Sequence, residues 1–261
     1  MNAQRHMSNV TMRLQGNYSR LASGLRIATA ADDAAGLAIS ERMRSQIRSY
    51  GVAARNTQDG ISLASTAESA LNEVSSLLIR SRELSVQSSN GTLAQADRDT
   101  IQVEIDAILT ELSRISAESV FNGVQLLDGT GTVSIQVGIE AGQTVTISAV
   151  DTTISTLGVD GLDITSQGSA SAALATLDTA IGSVNTARGQ LGASQNLMES
   201  ALSTTLNVRE NLSAAESRIR DVDIASETAD LTRNSIMQQA SVSILQQANV
   251  QPQIALSLIQ G

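Results

Sequence analysis

One stretch limits what this chain can become. From Ala172 to Arg220 it contains no proline, and Leu, Ala, Glu, Gln and Arg keep its helix propensity adequate among many Ser and Thr. A heptad started at Leu174 places Leu174, Leu177, Ile181, Val184, Arg188, Leu191, Gln195, Met198, Leu202, Thr205, Arg209, Leu212, Glu216 and Ile219 on one seam, nine of these fourteen being apolar. A helix of that length would span about 73 Å, whereas a compact globule of this many residues has a radius of gyration of about 18 Å. The expectation is an elongated molecule. A seam only partly apolar does not hold a lone helix in water, so partner helices are required from the same chain, from other copies, or from both.

The remaining composition agrees with thin helical seams. Among 261 residues there are no Trp, one Phe and two Tyr, so burial falls to Leu, Ile, Val, Ala and Met. A net charge of −9 and a pI near 4.6 disfavour nucleic acid, whose phosphates the chain would repel. Cysteine is absent, which removes disulfides, thiolate metal ligands and thiol nucleophiles together. All seventeen basic residues are Arg, which excludes a Schiff-base or P-loop lysine and favours forked contacts to carboxylates. No basic region followed by an apolar run marks a secretory signal, and no apolar run is long enough to span a bilayer.

In chain order, Met7, Val10, Leu14, Tyr18, Leu21 and Leu25 predict an amphipathic helix that ends near Gly24. Thr29, Asp32 or Asp33 then offers a cap for a second helix, running to about Ser89, with Ile61, Ala64, Ala67, Leu71, Val74, Leu78 and Arg82 as its seam. Asn90-Gly91 stops it, glycine supplying a left-handed turn. A third helix over 94–116 carries Ile101, Ile105, Ile108, Leu112 and Ile115, and the short turn before it makes it antiparallel to the second. Past Phe121-Asn122-Gly123 the period becomes two, so that Val133, Ile135 and Val137 with Val145 and Ile147 predict a β-hairpin at about 132–149, followed by a loop over 150–171. After the long helix, Asp221, Asp223, Glu227 and Asp230 mark a break and restart. From Asn234 to Gly261 follow twenty-eight residues without a charge, a run expected to be buried among other helices, with Pro252 perturbing or capping the last turns.

Several residues that could suggest chemistry have simpler readings. His6 lies near a terminus without Cys or paired carboxylates; Asp32-Asp33 reads as a helix cap, and Asp221 with Asp223 lacks the glycine and spacing of a calcium loop. Sequons at Asn9, Asn17, Asn90 and Asn211 are short enough to arise by chance. No triad, metal set or cofactor loop is legible, so the reading is not an enzyme and needs no cofactor.

Two groups of residues carry a family resemblance. Arg20-Leu21-Ala22-Ser23-Gly24-Leu25-Arg26-Ile27, followed by Asp32-Asp33-Ala34-Ala35-Gly36-Leu37-Ala38-Ile39, resembles the N-terminal signature of bacterial flagellins. Ser217-Arg218-Ile219-Arg220-Asp221-Val222-Asp223, Ile236-Met237-Gln238-Gln239-Ala240 and the segment from Gln246 to Leu258 resemble the C-terminal one, and Gln136-Val137-Gly138 with Gly142-Gln143-Thr144 resembles the family's hairpin. The implied fold is mainly α: an elongated antiparallel bundle or coiled coil formed by both chain termini, with a small β-hairpin region in the middle. Residues 1–43 and 221–261 would form an inner layer and 44–220 an outer bundle, in a short form without additional surface domains. This chain begins later than most of the family, which carries a further short element before this point.

The resemblance implies a subunit that self-assembles into the extracellular flagellar filament. Partners would be copies of itself, an export chaperone, the filament cap and hook-filament junction proteins, with export by the flagellar type III route and no cleavable signal peptide. Leu231, Ile236, Ile244, Leu245, Leu256 and Leu258 are expected to pack the inner layer and to meet Leu14, Leu21 and Leu25. Arg80, Leu84, Gln87 and Glu104 match positions at which the family is recognised by the vertebrate flagellin-sensing Toll-like receptor. Arg80, Leu84 and Gln87 share one helix face, and a forked cation beside an exposed leucine is a common hot-spot arrangement; the residues alone favour a solvated or self-contacting helix face by roughly nine to one, so the receptor reading rests on the resemblance. A hook-filament junction protein and a non-polymerising coiled-coil receptor ligand are the alternatives.

Overall fold

The computed structural model describes the backbone of residues 2–260 and the side chains of residues 4–248 and 250. Its helices are α1 (Asn2–Ser23), α2 (Ala34–Ser88), α3 (Gln95–Glu118), α4 (Gln167–Arg220) and α5 (Ile224–Gln260), with the strands β1 (Val120–Phe121), β2 (Val124–Gln125), β3 (Thr132–Gln136) and β4 (Thr144–Ser148) between α3 and α4. Two compact units divide the chain, one made of residues 1–48 and 209–261, the other of 49–208. The division falls at 48/49 and 208/209, so residues 44–48 and 209–220 group with the chain ends.

In the 49–208 unit, three helices enclose one apolar core. Leu71, Val74 and Leu78 of α2, Ile105 and Leu112 of α3, and Leu177, Val184 and Met198 of α4 are almost fully buried. Helix direction follows from the ion pairs that flank this core. Glu68 of α2 meets Arg188 of α4 at 2.8 Å, and Arg82 meets Asp178 at 2.5 Å, so the residue numbers fall along α4 as they rise along α2 and the two are antiparallel. Arg80 of α2 reaches Glu104 of α3 at 2.7 Å, and the antiparallel arrangement of α2 and α3 expected from their short turn is observed.

The α4 seam differs from the expected register in an instructive way. Leu177, Val184, Leu191, Met198 and Thr205 are buried as expected, but the residues between them are Ala173, Ala180 and Ala187, while Leu174, Ile181 and Arg188 are half-buried beside them. Helix axes approach closest where side chains are smallest, so alanines occupy the contact line and the larger neighbours flank it. Arg82 and Arg188 both lie on this flank, where their guanidinium groups pair with carboxylates across the seam.

α2 ends without a left-handed glycine: Gly91 does not have a positive φ. Its last carbonyl, Ser88 O, accepts instead from Arg98 of α3, a buried side chain that also donates to the turn carbonyls Asn90 O at 2.9 Å and Leu93 O at 3.3 Å. Five donors on one planar group let a single residue satisfy several orphan acceptors.

The β3–β4 hairpin pairs Ile135 with Val145 and Val133 with Ile147, the register expected from the alternation. It sits on the helices through Asn56, which donates to Gln136 O at 3.4 Å, and Thr205, which donates to Val137 O at 3.3 Å. Gly60 of α2 lies under it: a Cβ there would come within 2.8 Å of Met198 Sδ and 2.9 Å of Ile135 Cγ1. A second, smaller hairpin, β1–β2, turns at Asn122 and Gly123, both at positive φ, the conformation an Asn-Gly pair favours. The loop before α4 also carries core. Leu157, Val159, Leu162 and Ile164 are buried, and Ser88 donates to Ile164 O at 2.5 Å.

In the unit of the chain ends, α1 pairs with α5, with Val10 and Leu14 buried. α1 ends at Gly24, which has the positive φ expected of a helix stop. Asp33 caps α2 by accepting from the N–H groups of Ala35 and Gly36, both at 3.0 Å. Asp223 starts α5 in the same way, accepting from Ala225 at 3.0 Å and Ser226 at 3.3 Å. α5 runs on through Pro252 to Gln260, so the proline neither breaks nor ends it; the helix-favouring Gln, Ala and Leu around it carry the helix across.

Leu84→Ala should lower the stability of the 49–208 unit by about 2–5 kcal/mol, because it opens a cavity in a packed core. Val103→Ala, on the exposed face of α3, should stay within about 0.5 kcal/mol. Denaturant melts followed by circular dichroism measure both, and equal losses would contradict this core.

Candidate interaction surfaces

Between α1 and α5 the expected assembly residues separate into two sets. Leu14 is buried, and Leu21, Leu25, Leu231 and Leu245 are half-buried within the subunit. Ile236 and Ile244 are 61% and 60% exposed, so the charge-free helix is not covered by its own chain there. The side chains of Leu256 and Leu258 lie outside the described residues. A groove of about 450 Å³ lined by His6, Val10, Met237, Ala240, Ser241 and Ile244 runs beside the seam, and His6 itself is exposed on its rim.

The α1–α5 seam also holds polar groups that periodicity did not reveal. Asn17, Glu227 and Asn234 are each only 8% exposed. Asn17 donates through Nδ2 to Glu227 Oε1 at 2.6 Å and accepts at Oδ1 from Asn234 Nδ2 at 2.9 Å. Arg20 lies 4.0 Å from Glu227 and 3.7 Å from Asp32, on the solvent side. Asn17 belongs to a sequon, and its burial in this seam takes it out of reach of modification in the folded subunit.

The two segments that carry the N- and C-terminal signatures meet at a joint. Leu25 and Asp221 form an antiparallel bridge, Arg26 N–H donates to Arg220 O at 2.6 Å, and Val222 N–H donates to Gly24 O at 3.0 Å. The Arg26 guanidinium donates to Ile219 O at 2.7 Å, a carbonyl of the last turn of α4, where a cation suits the helix dipole. Arg220 in turn reaches Glu41 of α2 at 2.6 Å, and Arg44 reaches the same carboxylate at 2.7 Å. The Arg220 hydrogen bond, reinforced by Arg44, holds the Glu41 carboxyl below the usual carboxylate range. Asp32 is likewise lowered, first by the Thr29 backbone N–H and then by the Thr29 hydroxyl, so this acid closes the turn before α2 while Asp33 supplies the cap.

On the α2–α3 face, Arg80 grips Glu104 through Nε at 2.9 Å and Nη2 at 2.7 Å and touches Glu83 at 3.2 Å; the hydrogen bond to Glu104 holds the guanidinium strongly protonated. Arg80, Gln87 and Glu104 are exposed. Leu84 is not: at 2% exposure it belongs to the core, which corrects its placement on the exposed face. The spacing of Arg80, Leu84 and Gln87 puts them on one helix face, but Leu84 falls at the edge of that face, on the side turned inward. The apolar residues on the open side are Ile79, Val86 and Val103, the last 68% exposed.

Among the described residues no group of three His, Asp or Glu could hold a metal ion, and no helix is long and apolar enough to cross a membrane. Asp221 and Asp223 serve the joint and the α5 cap. Arg98 and the Asn17 group were missed because a polar residue at a seam position reads as a gap in the pattern until its partners are known. Asn122-Gly123 did carry a signal, since that dipeptide between apolar residues is the mark of a two-residue hairpin.

The described residues thus show paired end helices with Ile236 and Ile244 left exposed. Residues 1–132 match the bacterial flagellin N-terminal helical region and residues 174–259 the bacterial flagellin C-terminal helical region. A flagellin of Halalkalibacterium halodurans is 45% identical, over 99% of this chain and 96% of the relative. The flagellar filament 33 kDa core protein of Treponema phagedenis is 42% identical over 99% and 96%. The crystal structure of Bacillus cereus flagellin is similar at a TM-score of 0.54 and 32% identity, covering 58% of this chain and 88% of that one. The chain belongs to the bacterial flagellin family, whose members are structural proteins of the flagellar filament and not enzymes. Between the two matched regions there is room only for the hairpin and the loop that follows, without a large extra domain.

Because Glu41 is lowered in the folded chain, its contribution is fully present above the ordinary carboxylate range and is lost as pH falls through its lower native value. Amide exchange at Arg26 and Val222, two of the N–H groups that bond across the joint, should therefore lose protection on acidification. Glu41→Gln should show weaker protection at neutral pH and a smaller acid-dependent change. Identical pH profiles for the two proteins would remove Glu41 from the joint's energetics.

Proposed function

We propose that this chain is the polymerising subunit of the extracellular filament with which a bacterium swims, its end helices forming the inner layer and its 49–208 unit the outer one. The observation that carries the reading is the exposure of Ile236 and Ile244 on a helix that has no charge from Asn234 onward. A surface of that kind in water is unfavourable by about 25 cal/mol for each Å² left uncovered, and stacked copies remove it. Assembly of identical subunits through a surface on one side and a different surface on the other does not close, and so gives an open fibre. Covering that face on stacking adds the mass action of neighbouring copies to the stability of each subunit. Copies of itself are the main partner; an export chaperone, the filament cap and junction proteins serve delivery by the flagellar type III route.

Recognition by the vertebrate flagellin-sensing Toll-like receptor is the second part of the proposal. It rests on the resemblance at Arg80, Gln87 and Glu104 and on their exposure beside Val103, with Leu84 acting only through the core. Arg80→Ala should weaken binding to the receptor ectodomain while the helical circular dichroism signal stays unchanged; unaltered binding would refute the assignment.

Ile244→Asp should abolish polymerisation while leaving the 49–208 unit folded. Electron microscopy after a salt-induced assembly trial measures the first and circular dichroism the second. Normal filaments from this variant would overturn the assembly reading.

A further inference from the structure

The polar group in the α1–α5 seam has no role in covering apolar surface, and it works against that aim. Three side chains that would be better hydrated in water are buried in a contact between helices, where Leu or Val would give a tighter seam. α5 on its own is a poor guide to alignment. Its charge-free run of Ile, Leu, Met, Ala, Ser and Gln offers α1 nearly equivalent apolar faces at successive turns, because no charge beyond Arg233 marks one position from the next. We infer that Asn17, bridging Glu227 and Asn234, fixes the register of the terminal helix pair and rejects pairings shifted by a heptad.

The geometry suits that task. Glu227 and Asn234 stand one heptad apart on α5, and Asn17 uses both ends of one amide to bind them, donating to the first and accepting from the second. A slip of one heptad in one direction brings Glu227 opposite position 24, a glycine with no side chain to donate, and the carboxylate loses its amide partner. The opposite slip brings Asn234 opposite Val10 and leaves a buried amide against a methyl group. Each error strands a polar group that the native register satisfies, and an unsatisfied buried group costs more than a hydrogen bond contributes. A lone polar residue in an apolar helical seam fixes register by the same physics. Arg20 lies 4.0 Å from Glu227 at the solvent edge of the native alignment.

This inference concerns the pairing of α1 and α5 within one chain and is read separately from polymerisation. The chain has no natural cysteine, so introduced pairs report register without background. Val10→Cys with Ser241→Cys marks the native alignment, since both positions line one groove, and Val10→Cys with Ala248→Cys marks a one-heptad slip. Under mild oxidation of the soluble full-length chain, the native pair should form the intramolecular disulfide and the shifted pair should form severalfold less. Adding Asn17→Leu should raise the shifted product to the level of the native one without lowering the helical content. Glu227→Gln, which keeps an acceptor for Asn17, should preserve the native preference. The inference is overturned if Asn17→Leu leaves the preference intact, or if the unsubstituted chain cross-links both pairs equally or neither. Filament formation by the parent protein is unaffected by these outcomes and tests the assembly reading alone.

Discussion

Everything in this molecule follows from having to bury long helices without large side chains. With one Phe and no Trp, no single residue anchors a core, and stability is distributed along seams of Leu, Ile and Val separated by alanines. Such seams are narrow, so each helix keeps a wide exposed face, and the ion pairs Glu68–Arg188, Arg82–Asp178 and Arg80–Glu104 take over the edges. Exposed pairs of this kind contribute little each, about 0–1 kcal/mol. Their value lies in direction and alignment, which a stripe of small apolar residues specifies weakly.

The two units answer this constraint differently. The 49–208 unit adds a third helix, a hairpin and a loop carrying Leu157, Val159, Leu162 and Ile164, and so encloses a core of its own. The unit of the chain ends joins the α1–α5 pair to the start of α2 and the end of α4 at the joint of Leu25 and Asp221, and it leaves Ile236 and Ile244 open.

Much of this was legible in the sequence where period and chemistry agree. The α3 stripe Ile101, Ile105, Ile108, Leu112 and Ile115 is buried throughout, and the hairpin register follows the alternation of Val133 and Ile135 with Val145 and Ile147. Legibility failed where size mattered more than hydrophobicity. Along α4 a larger residue beside each alanine attracted the heptad, although the close approach of helices selects Ala180 and Ala187 over Ile181 and Arg188. It failed again for Leu84, whose inward side depends on where α3 and α4 lie, and for Arg98 and Asn17, whose burial is tolerable only because partners distant in sequence or around a turn are present.

The α1–α5 pair joins the first helix to the last, and Asn17 finds Asn234 across 217 positions of chain. While the chain is being made from its N-terminus, α1 therefore has no partner until the final element has been added. The 49–208 unit, whose residues are complete much earlier, has no such delay. An unfinished chain thus carries the α1 segment without its partner for most of its synthesis. Any factor that must tell an incomplete molecule from a finished one has that unpartnered segment to read.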